Sequence, residues 1–95
     1  MNKYSVTKLP SDILKEISEN HKKLRKSLKI SQAELAARSG VSLGTIKRFE
    51  STGQIALESL LKLAYLLNAL QDFEGVFKRE ETLANIEKLF TIKNK

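Results

Sequence analysis

Lys47 and Arg48 stand side by side in the run SLGTIKRFE, and no other pair in this sequence has chemistry so easily stated. Adjacent residues on an α-helix project about 100° apart, so one can meet a phosphate while the other reaches past it to a base edge. An arginine fork matches the O6 and N7 acceptors of guanine, a contact worth roughly 1–3 kcal/mol of discrimination between bases. Leu43, at the tip of the same run, offers an apolar surface for a thymine methyl group. Gly44 weakens a helix by about 1 kcal/mol relative to alanine, and its missing side chain would let a duplex approach closely. Thr45 adds a hydroxyl, and Ser42 stands just ahead of the run as an N-cap. Gln32 falls in the first turn of a preceding helix, where free N–H groups and the helix dipole favour a phosphate. The candidate nucleic-acid-binding residues are therefore Gln32, Ser42, Leu43, Gly44, Thr45, Lys47 and Arg48.

Such a set works only if two helices hold it at a fixed angle. Ser31 followed by Glu34 is a capping box and opens a short helix. Gly40 ends it, because glycine readily takes the left-handed conformation of a helix terminus. Ser42 opens the next helix, which runs to Ser51 and is closed by Thr52-Gly53. Two short helices joined by a glycine-containing turn form a helix-turn-helix. Leu35, Val41, Ile46 and Phe49 face inward, and Ala36 sits at the crossing, where a larger side chain would push the helices apart. The opposite flank, with Leu43, Gly44, Lys47 and Arg48, faces outward. A helix about 10–12 Å wide fits a major groove about 12 Å wide.

The rest of the chain supplies the frame. Residues 1–10 form an N-terminal arm, with Pro10 suited to the start of a helix and Ser11 or Asp12 as its cap. Ile13, Leu14, Ile17, Leu24 and Leu28 fall at helical spacing over 12–28. Lys22, Lys23, Arg25, Lys26 and Lys29 make that helix basic on one face, solvated or near phosphates. His21, the single histidine, has no second ligand for a metal and reads as a polar surface residue. From Ile55 to Leu70 leucine dominates. Leu57, Leu60, Leu61, Ala64 and Leu67 form one stripe, and Leu63, Leu66 and Leu70 a second beside it. Asp72 is placed to cap a short helix with Phe73, Val76 and Phe77, and Thr82 to Phe90 carries a last helical pattern. The expected architecture is all-α, with a DNA-binding domain over 11–70, its helix-turn-helix at 31–51, and a helical extension over 71–95 for partner or dimer contacts.

Composition narrows the function classes. The formal charge is +6, and residues 1–53 hold eleven Lys and Arg against five Asp and Glu, while 54–95 hold six of each. The half with the candidate site is the electropositive half, as an anionic partner requires. There is no cysteine, so disulfides and thiolate metal sites are excluded. No phosphate-binding loop, zinc-protease motif or nucleophile motif is present, so no enzyme, cofactor, metal or catalytic residue is expected. The N-terminus lacks the apolar run of a signal peptide and no segment is apolar enough to span a membrane, which leads to the expectation of a cytoplasmic protein.

Residues 24–70, LRKSLKISQAELAARSGVSLGTIKRFESTGQIALESLLKLAYLLNAL, resemble the lambda-repressor-like, Cro/C1-type (XRE) helix-turn-helix family, with SQAELA, SGVS, TIKRFE and the leucine helix in family order. The resemblance implies a compact bundle of about five helices that binds double-stranded operator DNA as a homodimer. It places Gln32 on a phosphate, Leu43, Gly44 and Arg48 at base-facing positions, and Thr45 and Lys47 at backbone or variable contacts. Ser39 stands where the family usually has an apolar residue, and Leu43 and Gly44 replace the amide side chains common at the helix tip. A narrower likeness, on RFESTGQI, DFEGVF and TLANIE, is to HipB-like regulators. It implies an antitoxin that represses its own operon and binds a HipA-type kinase toxin, with a stand-alone phage-type repressor as the alternative.

Overall fold

The computed structural model describes residues 7–79. Among them are four α-helices, α1 (Pro10–Ser27), α2 (Gln32–Ser39), α3 (Leu43–Thr52) and α4 (Leu57–Leu66), followed by a single 3-10 turn, Leu70–Phe73. No strand occurs among the described residues. The all-α class holds, with four α-helices there where about five were expected. The pattern over Thr82 to Phe90 lies outside the described residues.

Each helix boundary has a local cause. Pro10 is the first residue of α1, and Leu9, not Ser11 or Asp12, takes the cap position. Asp12 still contributes: its Oδ2 accepts the Leu9 N–H at 2.9 Å, satisfying one free donor of the first turn. α1 closes through Lys29 in the left-handed region (φ 60), with the Ile30 N–H donating to Arg25 O at 3.2 Å. Ser31 caps α2 by accepting the Glu34 N–H at 3.0 Å. The return half of the expected capping box does not form, because the Glu34 carboxylate pairs with Arg38 at 2.6 Å one turn along. Gly40 (φ 78) and Gly53 (φ 85) end α2 and α3 in the left-handed conformation that both positions anticipate.

α2 and α3 pack on each other, α1 lies across α3, and α4 closes the core against α2. Leu35, Ile46, Phe49 and Leu63 are fully buried, each stabilising the fold by about 1.5–3 kcal/mol through burial. Val41, Leu60 and Leu67 complete the cluster. Replacing Ile46 by alanine is expected to lower stability by about 2–5 kcal/mol, read by urea denaturation, because the cavity would open where α3 anchors to the core.

The leucine helix is shorter than 55–70 and its stripes divide differently. Leu60, Leu63, Ala64 and Leu67 form the single buried face, drawing one leucine from the second expected stripe. Leu57 is exposed, and Leu61 and Leu66 are half-buried. Asp72 lies within the 3-10 turn instead of capping a helix, and Ala69 precedes that turn. Phe73 packs on the core, whereas Val76 and Phe77 are exposed.

Candidate nucleic-acid interface

α3 is held from behind and bare in front. Ile46 and Phe49, three residues apart, fill the core. Gly44, Lys47 and Arg48 are exposed on the other side, and Leu43 and Thr45 are half-buried at the edge. A Cβ built on Gly44 would meet nothing within 4 Å, so its absence leaves the helix backbone itself open to an approaching surface. At the helix start, Ser42 Oγ accepts the Thr45 N–H at 3.1 Å and donates to Thr45 Oγ1 at 2.8 Å. The cap thus fixes both hydroxyls at the end of α3 where its free N–H groups gather.

The exposed flank stays positive because the one acid of α3 is turned inward. The Glu50 side chain is only 3% exposed, and its carboxylate receives four donors. Arg25 Nε and His21 Nδ1 reach Oε2 at 2.9 and 2.8 Å, while Arg25 Nη2 and Gln32 Nε2 reach Oε1, each at 2.9 Å. This is the largest departure from expectation. The sequence pattern puts Arg25 on the basic outer face of α1 and His21 on the polar surface, yet both are buried, as is Ser18 beside them. Lys22, Lys23, Lys26 and Lys29 do lie exposed. The physical reason is that the centre of the α1 stripe faces Glu50, and a buried carboxylate needs donors more than it needs apolar neighbours. Arg25 Nη1 also donates to Ile30 O at 2.9 Å, tying the α1–α2 turn into the same network.

Gln32 is therefore not a free phosphate ligand. One hydrogen of its amide is given to Glu50, and the half-buried side chain is held at the first turn of α2 with its second N–H available. Arg48, too, is oriented: Nη2 donates to Gln54 Oε1 at 2.7 Å. Ser39 Oγ accepts the Val41 N–H at 3.1 Å, so the polar residue that ends α2 serves the backbone where an apolar one would serve packing.

His21 and Glu50 make the network pH-sensitive. Burial holds the imidazole below its ordinary value, with the Glu50 charge and hydrogen bond offsetting only part and Arg25 repelling the proton further. Geometry agrees: Nε2 has no partner among the described residues, so a second proton there would be a buried donor without an acceptor. For Glu50, burial alone would raise the carboxyl, but hydrogen bonds from Arg25 and Gln32 and the Arg25 charge outweigh it and hold it below the usual range. Unfolded His21 binds a proton more readily than folded His21, so stability falls as pH drops below about 6.5, by at most about 1.4 kcal/mol per pH unit. A second loss follows below about pH 4, where the unfolded carboxylate takes up a proton before the folded one does, and it ends once the folded carboxylate is protonated too. Denaturation midpoints measured from pH 8 to 5 should show the first loss, and His21→Gln should flatten it.

A family model described as helix-turn-helix, of the XRE type, matches residues 22–70, more than half of the 95 residues. The chain belongs to that family, and its helix-turn-helix is that of a DNA-binding transcription regulator. No curated protein and no solved structure matches the chain. Among the described residues no helix is long and apolar enough to cross a membrane, and no cluster of side chains is suited to a metal ion.

Proposed function

We propose that this protein is a sequence-specific repressor that binds an inverted-repeat operator as a homodimer, with α3 of each copy in the major groove. The observation that carries this reading is the two-sided character of α3: Ile46 and Phe49 lock one side into the core while Gly44, Lys47 and Arg48 stand bare on the other. Two copies would enter successive major grooves about 34–36 Å apart and occlude a promoter. Arg48 reads a base, Lys47 and the remaining N–H of Gln32 hold phosphates, and Ser42, Leu43, Gly44 and Thr45 form the tip that enters the groove. Selection from a randomised duplex library tests this directly, and a motif without twofold symmetry, or no motif at all, counts against it. Arg48→Ala should relax preference at one base pair per half-site by about 1–3 kcal/mol. Lys47→Ala should weaken all duplexes alike and lower the slope of log affinity against log salt by about 1.

The finer reading is that of an antitoxin which also binds a HipA-like kinase toxin. Its support is the HipB-like likeness of DFEGVF together with the exposure of that segment's apolar side chains, Val76 at 54% and Phe77 at 88%. Phe77→Asp should abolish co-purification with a kinase-like product encoded beside this gene and leave DNA binding intact. A stand-alone phage-type repressor would retain no such partner in either form.

A further inference from the structure

Six residues beyond Arg48 the chain comes back to it, and the route is built from side chains that leave little freedom. Thr52 Oγ1 donates to Arg48 O at 2.7 Å and accepts the Gln54 N–H at 3.1 Å. Ser51 Oγ donates to the same carbonyl at 3.1 Å. Between Thr52 and Gln54, Gly53 turns the backbone through the left-handed region at φ 85 and is packed against Leu14 of α1. Gln54 is therefore delivered beside Arg48, and its Oε1 accepts from Arg48 Nη2 at 2.7 Å. Both side chains line a shallow cleft of about 320 Å³ with Thr45 of α3 and Ile55, Ala56 and Ser59 at the start of α4.

From this arrangement we infer that Gln54, which lies outside the helix-turn-helix, is a specificity-determining residue that acts by positioning the Arg48 guanidinium. The inference rests on the proposed role of Arg48 as the base-reading side chain. An unsupported arginine on an exposed helix face samples many rotamers, and each geometry reaches a different set of base edges and phosphates. Gln54 takes one of the five N–H donors of Arg48 and fixes the plane of the fork. Four donors remain, enough for a bidentate contact with guanine. The pre-orientation removes alternatives in which the same arginine would contact a phosphate and read nothing. The glutamine amide is suited to this because it supplies an acceptor without a negative charge that would face the duplex.

The test uses the full-length chain and a randomised duplex library, with the wild-type motif defining the base pair that depends on Arg48. Gln54→Ala and Gln54→Met, which remove the acceptor, should lower the ratio of affinities for the preferred and other bases at that position by roughly three- to tenfold, the net worth of one solvent-exposed hydrogen bond. Gln54→Glu, which keeps an acceptor, should preserve that ratio while weakening binding to every duplex. Combined with Arg48→Ala, Gln54→Ala should reduce the ratio no further, since it acts only through Arg48. A purely structural role in the loop would instead weaken all sequences equally and add to the effect of Arg48→Ala. An unchanged ratio in Gln54→Ala and Gln54→Met, or additivity with Arg48→Ala, overturns the inference while leaving the Arg48 role standing. If Arg48→Ala itself leaves the ratio untouched, the Arg48 role falls, and the inference falls with it.

Discussion

Replacing Glu50 by alanine should lower stability by about 3–5 kcal/mol, a large fraction of the roughly 5–15 kcal/mol that stabilises a small domain. The reason is what remains behind. The Arg25 side chain is 7% exposed, and without Glu50 its only other partner among the described residues is the carbonyl of Ile30. The guanidinium cannot shed its proton, so the fold must bury an unpaired charge or let α1 lift from α3. Gln32 and His21 lose their acceptor at the same moment. The loss is therefore one of pairing more than of attraction, and a double replacement makes that visible. Arg25→Met with Glu50→Leu should recover the part of the loss that comes from the stranded guanidinium, because apolar side chains of similar volume demand no partner, while His21 and Gln32 stay without their acceptor. Urea denaturation of the two variants beside the wild-type chain decides the matter. A Glu50→Ala variant within about 1 kcal/mol of wild type would mean that the ion pair does not join α1 to α3.

The same network shows how far the sequence could be read and where it stopped. The α2–α3 unit was legible because every boundary has a local cause: Ser31 and Ser42 as caps, Gly40 and Gly53 as terminators, and a short-range period that puts Leu35, Ile46 and Phe49 inside. The outward placement of Lys47 and Arg48 follows from that period alone. α1 is less legible for a complementary reason. Ile17, His21 and Leu24 lie at helical spacing, so His21 occupies the middle of an inward stripe, but polar residues at inward positions look like surface until their partner is known. The partner, Glu50, is twenty-nine residues away from His21 in sequence, and nothing local announces it. An arginine one turn after a histidine, with a lone acid on the next packed helix, was the available signal. The end of α4 is hidden because leucine is abundant on both sides of it, and which leucines are buried depends on the positions of α2 and the 3-10 turn. The Arg48–Gln54 contact was equally hidden, since it depends on the chain reversing at Gly53.

The two helix-terminating glycines give the second large effect, and they separate a backbone requirement from a packing one. Gly40 and Gly53 share almost the same conformation, φ 78 and φ 85. A side chain in that region is strained by about 1–2 kcal/mol wherever it occurs. At Gly40 nothing lies within 4 Å of an added Cβ, so Gly40→Ala should show that strain and little else. At Gly53 the Cβ would come to 2.9 Å from the carbonyl oxygen of Leu14 and 3.0 Å from its carbon, both backbone atoms of α1 that no rotamer change can move. Overpacking of this kind adds about 1–3 kcal/mol. Gly53→Ala should therefore lower stability by about 2–5 kcal/mol in all, and its melting temperature should fall well below that of Gly40→Ala, at about 4–8 °C per kcal/mol for a chain of this size. If the two variants melt together, the close approach of Leu14 is not what requires glycine at 53. If they separate as expected, the residue that ends α3 also sets the distance at which α1 crosses it, and so the angle at which Lys47 and Arg48 are presented.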